Sequence, residues 1–137
     1  MRLVALGMLT LGVCVSAASA APIPKERAEA EKIVGTWRMT LSAQGQTNVN
    51  LELDFYQSGK MVIRQGFPGG QTSVYTGSYC VIGNELPYDV KQGGFAKKET
   101  LTIKKLTATE LIVVDPDGLK EEFVRVKKDP TKKDEKN

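Results

Sequence analysis

The stretch Asn48-Val49-Asn50-Leu51-Glu52-Leu53-Asp54-Phe55-Tyr56 decides the fold. Val49, Leu51, Leu53 and Phe55 recur at every second position and share one face, while Asn50, Glu52 and Asp54 face water. That is the period of a half-buried β-strand, not of a helix. The same period recurs on both sides of it. Upstream, residues 36–42 set Trp37, Met39 and Leu41 against Arg38 and Thr40. Downstream, strands are predicted over 61–65, 71–82, 85–90, 99–106, 111–115 and 119–126. Met61-Val62-Ile63 is too apolar throughout for a face to be assigned, and Gly77 inside its strand marks a bend. Gly83-Asn84 is a hairpin pair and Asp115-Pro116-Asp117-Gly118 a tight turn. Residues 66–70 and 91–98 read as longer, glycine-rich loops, and 22–34 as a short helix entered through Pro24 and stopped by Gly35.

Eight strands joined by short turns, with no helix between them, are antiparallel neighbours. A sheet of that size with one apolar face has to fold over or close, and closure removes exposed edges. The predicted class is therefore all-β, an eight-stranded antiparallel up-and-down barrel with a short N-terminal helix; a β-sandwich is the alternative that periodicity does not separate from it. Connections in a meander alternate between two ends. The 66–70 and 91–98 loops then share one end, with Phe67 and Phe95 at its rim, which makes it the open, binding end. The first strand starts and the last strand finishes at the other end. There Arg125, on the inward face of Phe123, is expected to stack on Trp37, a contact worth on the order of 0.5–2 kcal/mol.

The N-terminus has the anatomy of a secretory leader: Met1 and Arg2, an apolar run over 3–15, and Ala18-Ser19-Ala20 as a small-residue cleavage site. Cleavage after Ala20 implies a secreted or periplasmic protein. Leu11-Gly12-Val13-Cys14 offers the alternative of a lipid anchor on Cys14. No later stretch is apolar for the ~20 residues a transmembrane helix needs. Loss of the leader would leave Cys80 alone, a small hydrophobe without an internal disulfide. The organisation expected is a signal peptide over 1–20, a helix over 21–34, a barrel over 35–126 and a disordered lysine-rich tail over 127–137.

The chain carries no histidine and a formal net charge of +3. Ser–His–Asp and Cys–His catalysis are therefore excluded, and a zinc site is left with a poor ligand set. Glu52 and Asp54 lie on a polar strand face, and Glu121 and Glu122 point to opposite faces, so neither pair reads as a glycosidase dyad. Tyr75 and Tyr79 share a face without the basic groove a nucleic-acid platform requires. No enzyme activity, cofactor, metal or nucleic acid is expected.

Gly35-Thr36-Trp37 after a short helix resembles the Gly-x-Trp signature of lipocalins, and Arg125 resembles the arginine that packs over that tryptophan. Tyr75-Thr76-Gly77-Ser78-Tyr79-Cys80-Val81-Ile82-Gly83-Asn84-Glu85-Leu86 is similar to a pattern of small lipocalin-like domains in exported bacterial proteins, including paralogous sets in planctomycetes. The resemblance spans roughly 32–126. It implies a small apolar ligand in the barrel, with Gly35, Trp37 and Arg125 as the structural signature. The ligand-binding candidates at and below the open end are Phe67, Phe95, Met39, Leu53 and Tyr75. The competing reading is a monomer with a filled core that contacts a protein partner through 66–70 and 91–98.

Overall fold

Helix α1 (Pro24–Ile33) leads into eight strands: β1 (Gly35–Leu41), β2 (Leu51–Phe55), β3 (Lys60–Gly66), β4 (Thr72–Tyr79), β5 (Glu85–Gln92), β6 (Phe95–Leu106), β7 (Glu110–Val114) and β8 (Lys120–Arg125). These come from a computed structural model that describes residues 24–47 and 50–127; the leader, Val49 and residues 128–137 lie outside it. Each strand pairs antiparallel with its sequence neighbours, and β8 returns to β1, so the sheet closes as an up-and-down barrel. No helix among the described residues is long and apolar enough to cross a membrane.

The register explains the closure. Trp37 pairs with Leu53 on one side and Arg125 on the other, and Leu53 pairs with Ile63, so apolar positions fall in rows around the interior. Trp37, Phe55, Met61, Leu86 and Leu111 fill the lower barrel, and Ile33 of α1 seals it from below. Phe55 and Tyr79 meet edge to face with ring centroids 4.8 Å apart, and the Tyr79 hydroxyl donates to the Tyr56 carbonyl at 2.8 Å. Met61 and Ile63 face inward and Val62 outward, which settles the face of that strand.

The base is locked by the predicted stack. The Arg125 guanidinium lies 4.2 Å from the Trp37 ring centroid. It donates to the carbonyls of Val34 (2.7 Å), Ala108 (2.7 Å) and Lys32. The Trp37 indole N–H donates to Ile33 at 2.8 Å. The bonds to Lys32, Ile33 and Val34 satisfy carbonyls at the end of α1 that the helix leaves without partners, and the bond to Ala108 ties in the β6–β7 turn. Gly35 sits beneath the guanidinium at φ 139°, where a Cβ would be strained and would also strike Arg125.

Three expectations need correction. Residues 91–98 are not a loop: β5 runs to Gln92, β6 starts at Phe95, and Gly93-Gly94 alone turns the chain, with Gln92 opposite Phe95. Gly93 supplies the positive φ of 55° that a two-residue hairpin demands. The strand before Gly83 ends at Tyr79, and Gly77 marks a close approach rather than a bend alone, since a Cβ there would collide with the Asp89 carbonyl. Asp54 points away from the core yet is only 7% exposed. It accepts from the Thr36 hydroxyl at 2.6 Å and pairs with Arg64, which covers it. Cys80 is disulfide-bonded and half-buried in the uncleaved chain, whereas the lone thiol is the expectation for a chain that has lost its leader. That expectation depended on removal of Cys14, which lies outside the described residues.

Candidate functional site

Burial falls off along the barrel axis. At the base Trp37, Leu86 and Leu111 are wholly buried; one step up, Met39, Leu53, Val90, Val113 and Phe123 are still buried. At the next level Leu51, Ile63, Tyr75, Glu99 and Glu121 are half-exposed, and above them Lys97 and Phe95 are exposed. All of these alternate in register with core residues and so face the interior. The interior is thus buried below and open to solvent at its mouth, where the β1–β2, β3–β4, β5–β6 and β7–β8 connections meet.

The mouth has two unlike walls. The apolar wall comes from β2, β3 and β4: Leu51, Ile63 and Tyr75, with the Phe95 ring edge-on to Tyr75 at 5.8 Å. Phe95 is 56% exposed, and Phe67 in the β3–β4 turn is 43% exposed. The polar wall comes from β5, β6 and β8. The Tyr88 hydroxyl donates to Glu99 Oε2 at 2.6 Å, and Lys97 Nζ reaches the same oxygen at 3.1 Å. Lys97 Nζ also lies 5.8 Å from the Tyr88 ring centroid. Glu121 joins this wall because it pairs with Val113 and shares the inward face of Phe123.

Burial pushes the Glu121 carboxyl above the ordinary glutamate range; Lys97 opposes the shift, and the charges of Glu99 and Asp115 add to it. Burial likewise raises the Tyr88 hydroxyl, reinforced by its hydrogen bond to Glu99. With Glu121, the folded state holds its proton more tightly than the unfolded chain. Stability is therefore complete below the ordinary glutamate pKa and declines as pH rises through the raised folded value. Glu121→Gln is expected to raise Tm at pH 7 and to leave it unchanged at pH 3, which thermal denaturation at the two pH values will read.

The structure brings Tyr75 and Phe95 together at the rim, with Phe67 in the next turn. It places Met39 and Leu53 in the buried floor beneath them. Tyr88, Lys97, Glu99 and Glu121 were missed from sequence. The signal was present: stepping by two from Leu101 reaches Glu99 and Lys97, and from Phe123 reaches Glu121. Reading 91–98 as a loop interrupted the first of these series. Chemically, the two walls can hold an apolar surface on one side and orient a polar group on the other. Among the described residues no cluster of three or more cysteines and carboxylates is placed to hold a metal ion.

No protein-family model matches the chain, and no curated protein does. The solved structures that match its fold include two crystal structures. One is a lipocalin-like protein from Bacteroides uniformis, 18% identical, with a TM-score of 0.56 over 69% of this chain and 99% of that one. The other is an uncharacterised protein from Bacteroides eggerthii, 14% identical, with a TM-score of 0.55 over 69% of this chain and 99% of that one. The closed eight-stranded barrel, the helix before its first strand and the tryptophan–arginine stack at its base make the fold of this chain lipocalin-like.

Proposed function

We propose that this is an exported, non-catalytic binding protein that holds the apolar face of a small ligand in the mouth of the barrel. The observation that carries the reading is the contrast between the two ends: inward side chains pass from buried to exposed toward the end where Tyr75 and Phe95 meet, while Ile33 and the Trp37–Arg125 stack cover the other end. Eight strands leave an interior just wide enough to be filled by side chains or to admit one small ligand. Here the bulky residues of the lower barrel confine a ligand to the upper part. The leader supports export. The test is native mass spectrometry of protein from an exporting host, followed by titration with a fluorescent fatty-acid analogue. A co-purified mass, or saturable probe binding that Phe95→Glu weakens at least about ten-fold, supports the proposal. A bare mass with no probe binding rejects it. The filled lower barrel favours a second reading in that event, a protein-interaction module that uses the same rim.

A further inference from the structure

The hairpins that surround the mouth differ in length, and the difference leaves part of one strand without a neighbour. On its β5 side β6 is paired from Phe95 to Thr102. On its β7 side pairing begins only at Thr102, opposite Val114, because the chain then turns back through Asp115, whose N–H donates to the Leu119 carbonyl at 2.9 Å. Residues 95–100 therefore project beyond the β7–β8 hairpin, and no other strand among the described residues pairs with them on that side. Phe95, Ala96, Lys97, Lys98 and Thr100 are all exposed.

Alternation fixes which backbone groups line this edge. The Ile103 N–H donates to the Asn84 carbonyl at 2.7 Å, toward β5. Odd-numbered positions of β6 above it repeat that direction, so the N–H and C=O groups of Ala96, Lys98 and Thr100 point away from β5, into the gap. This is the pattern to which an extended peptide adds as a further strand. A second copy fits this edge in one register at most. Antiparallel self-pairing that joins these edge-facing groups across 95–100 sets Lys97 against Lys97, Glu99 against Glu99 or Lys98 against Lys98; like charges directly opposite are unfavourable, and only the last register offsets them, by setting each Lys97 opposite Glu99. Lys97 already has Glu99 as its partner. Lys98, at the centre of the edge, makes no ion pair among the described residues, although Asp89 is its register neighbour on β5.

We infer that the free edge of β6 is a strand-addition site for an extended segment of a different protein, with a carboxylate opposite Lys98 and neutral β-forming residues opposite Lys97 and Glu99. The site is the backbone edge of the strand whose inward side chains line the mouth, and it does not require the mouth to hold a ligand. The test uses two end-capped peptides, Thr-Val-Glu-Val-Thr and Thr-Val-Lys-Val-Thr, titrated into the 15N-labelled protein. The glutamate peptide is expected to shift the Ala96, Lys98 and Thr100 amides saturably and to slow their exchange. It should bind at least about three-fold more tightly than the lysine peptide, as one cross-strand charge pair allows. In Lys98→Glu, an exposed change that the fold should tolerate, the preference should invert. N-methylation of the peptide amides that face β6 should abolish binding. The inference is overturned if neither peptide shifts those amides, if the shifts fall only on mouth residues such as Tyr75, or if Lys98→Glu leaves the preference unchanged.

Discussion

Trp37→Ala is expected to destabilise the protein by about 3–5 kcal/mol, the cost of truncating a large buried aromatic side chain. The ring is wholly buried at the barrel base, so its removal opens a void between β1, β8 and α1. The losses extend beyond the ring. The Ile33 carbonyl loses its indole donor, and the Arg125 guanidinium loses the face on which it lies. Against a typical domain stability of ~5–15 kcal/mol, this change alone brings the fold near its limit. The midpoint should fall by more than about 10 °C. Circular dichroism is the suitable readout, because Trp37 is the single tryptophan and the variant has no indole fluorescence. Trp37→Phe keeps most of the burial and loses the hydrogen bond, so it should cost less, about 1–2 kcal/mol. A Trp37→Ala variant within about 1 kcal/mol of the parent would mean that the base repacks freely.

Gly77→Val should cost about 3 kcal/mol, the upper part of the range for overpacking, because the obstacle is backbone rather than a movable side chain. A Cβ at this position meets the Asp89 carbonyl and the Val90 Cα. β4 and β5 are paired from Thr76 opposite Lys91 to Tyr79 opposite Tyr88, with one further bond from the Cys80 N–H to the Pro87 carbonyl, so separating them at Gly77 disturbs most of that seam. Gly94→Ala is the matched control: nothing lies within 4 Å of its Cβ position. It should remain within about 0.5 kcal/mol of the parent. Denaturant midpoints of the two variants, read side by side, test whether closeness of approach governs the outcome.

The barrel was legible because its information is local. Alternation in β1 and β2, together with Gly83-Asn84 and Asp115-Pro116-Asp117-Gly118, gave strand count, order and ends without any long-range contact being known. Stacking of Arg125 on Trp37 followed from topology alone. Two adjacent glycines suit a long loop and a two-residue hairpin turn equally well, so Gly93-Gly94 does not reveal the strands that flank it. Gly93-Gly94 is only a turn, and the lysines around it were continuing strands whose inward positions carry charge. A polar residue facing inward near a barrel rim breaks the apolar period that identifies strands, so Lys97, Glu99 and Glu121 escaped the pattern they obey. Asp54 escaped for a different reason: its cover comes from Thr36 and Arg64 on neighbouring strands, and period does not report what lies across a ladder.

Apart from the β8–β1 pairing, the strand pairs in this barrel join consecutive hairpins, and such pairs close short loops at small entropic cost. The exception joins the chain's beginning to its end: Arg125 binds the Val34 carbonyl, ninety-one positions earlier. Contact order is thereby concentrated in one seam. Refolding is therefore expected to be limited by closure of that one seam, since the arginine that fastens it gains its partners only when the first and last strands meet.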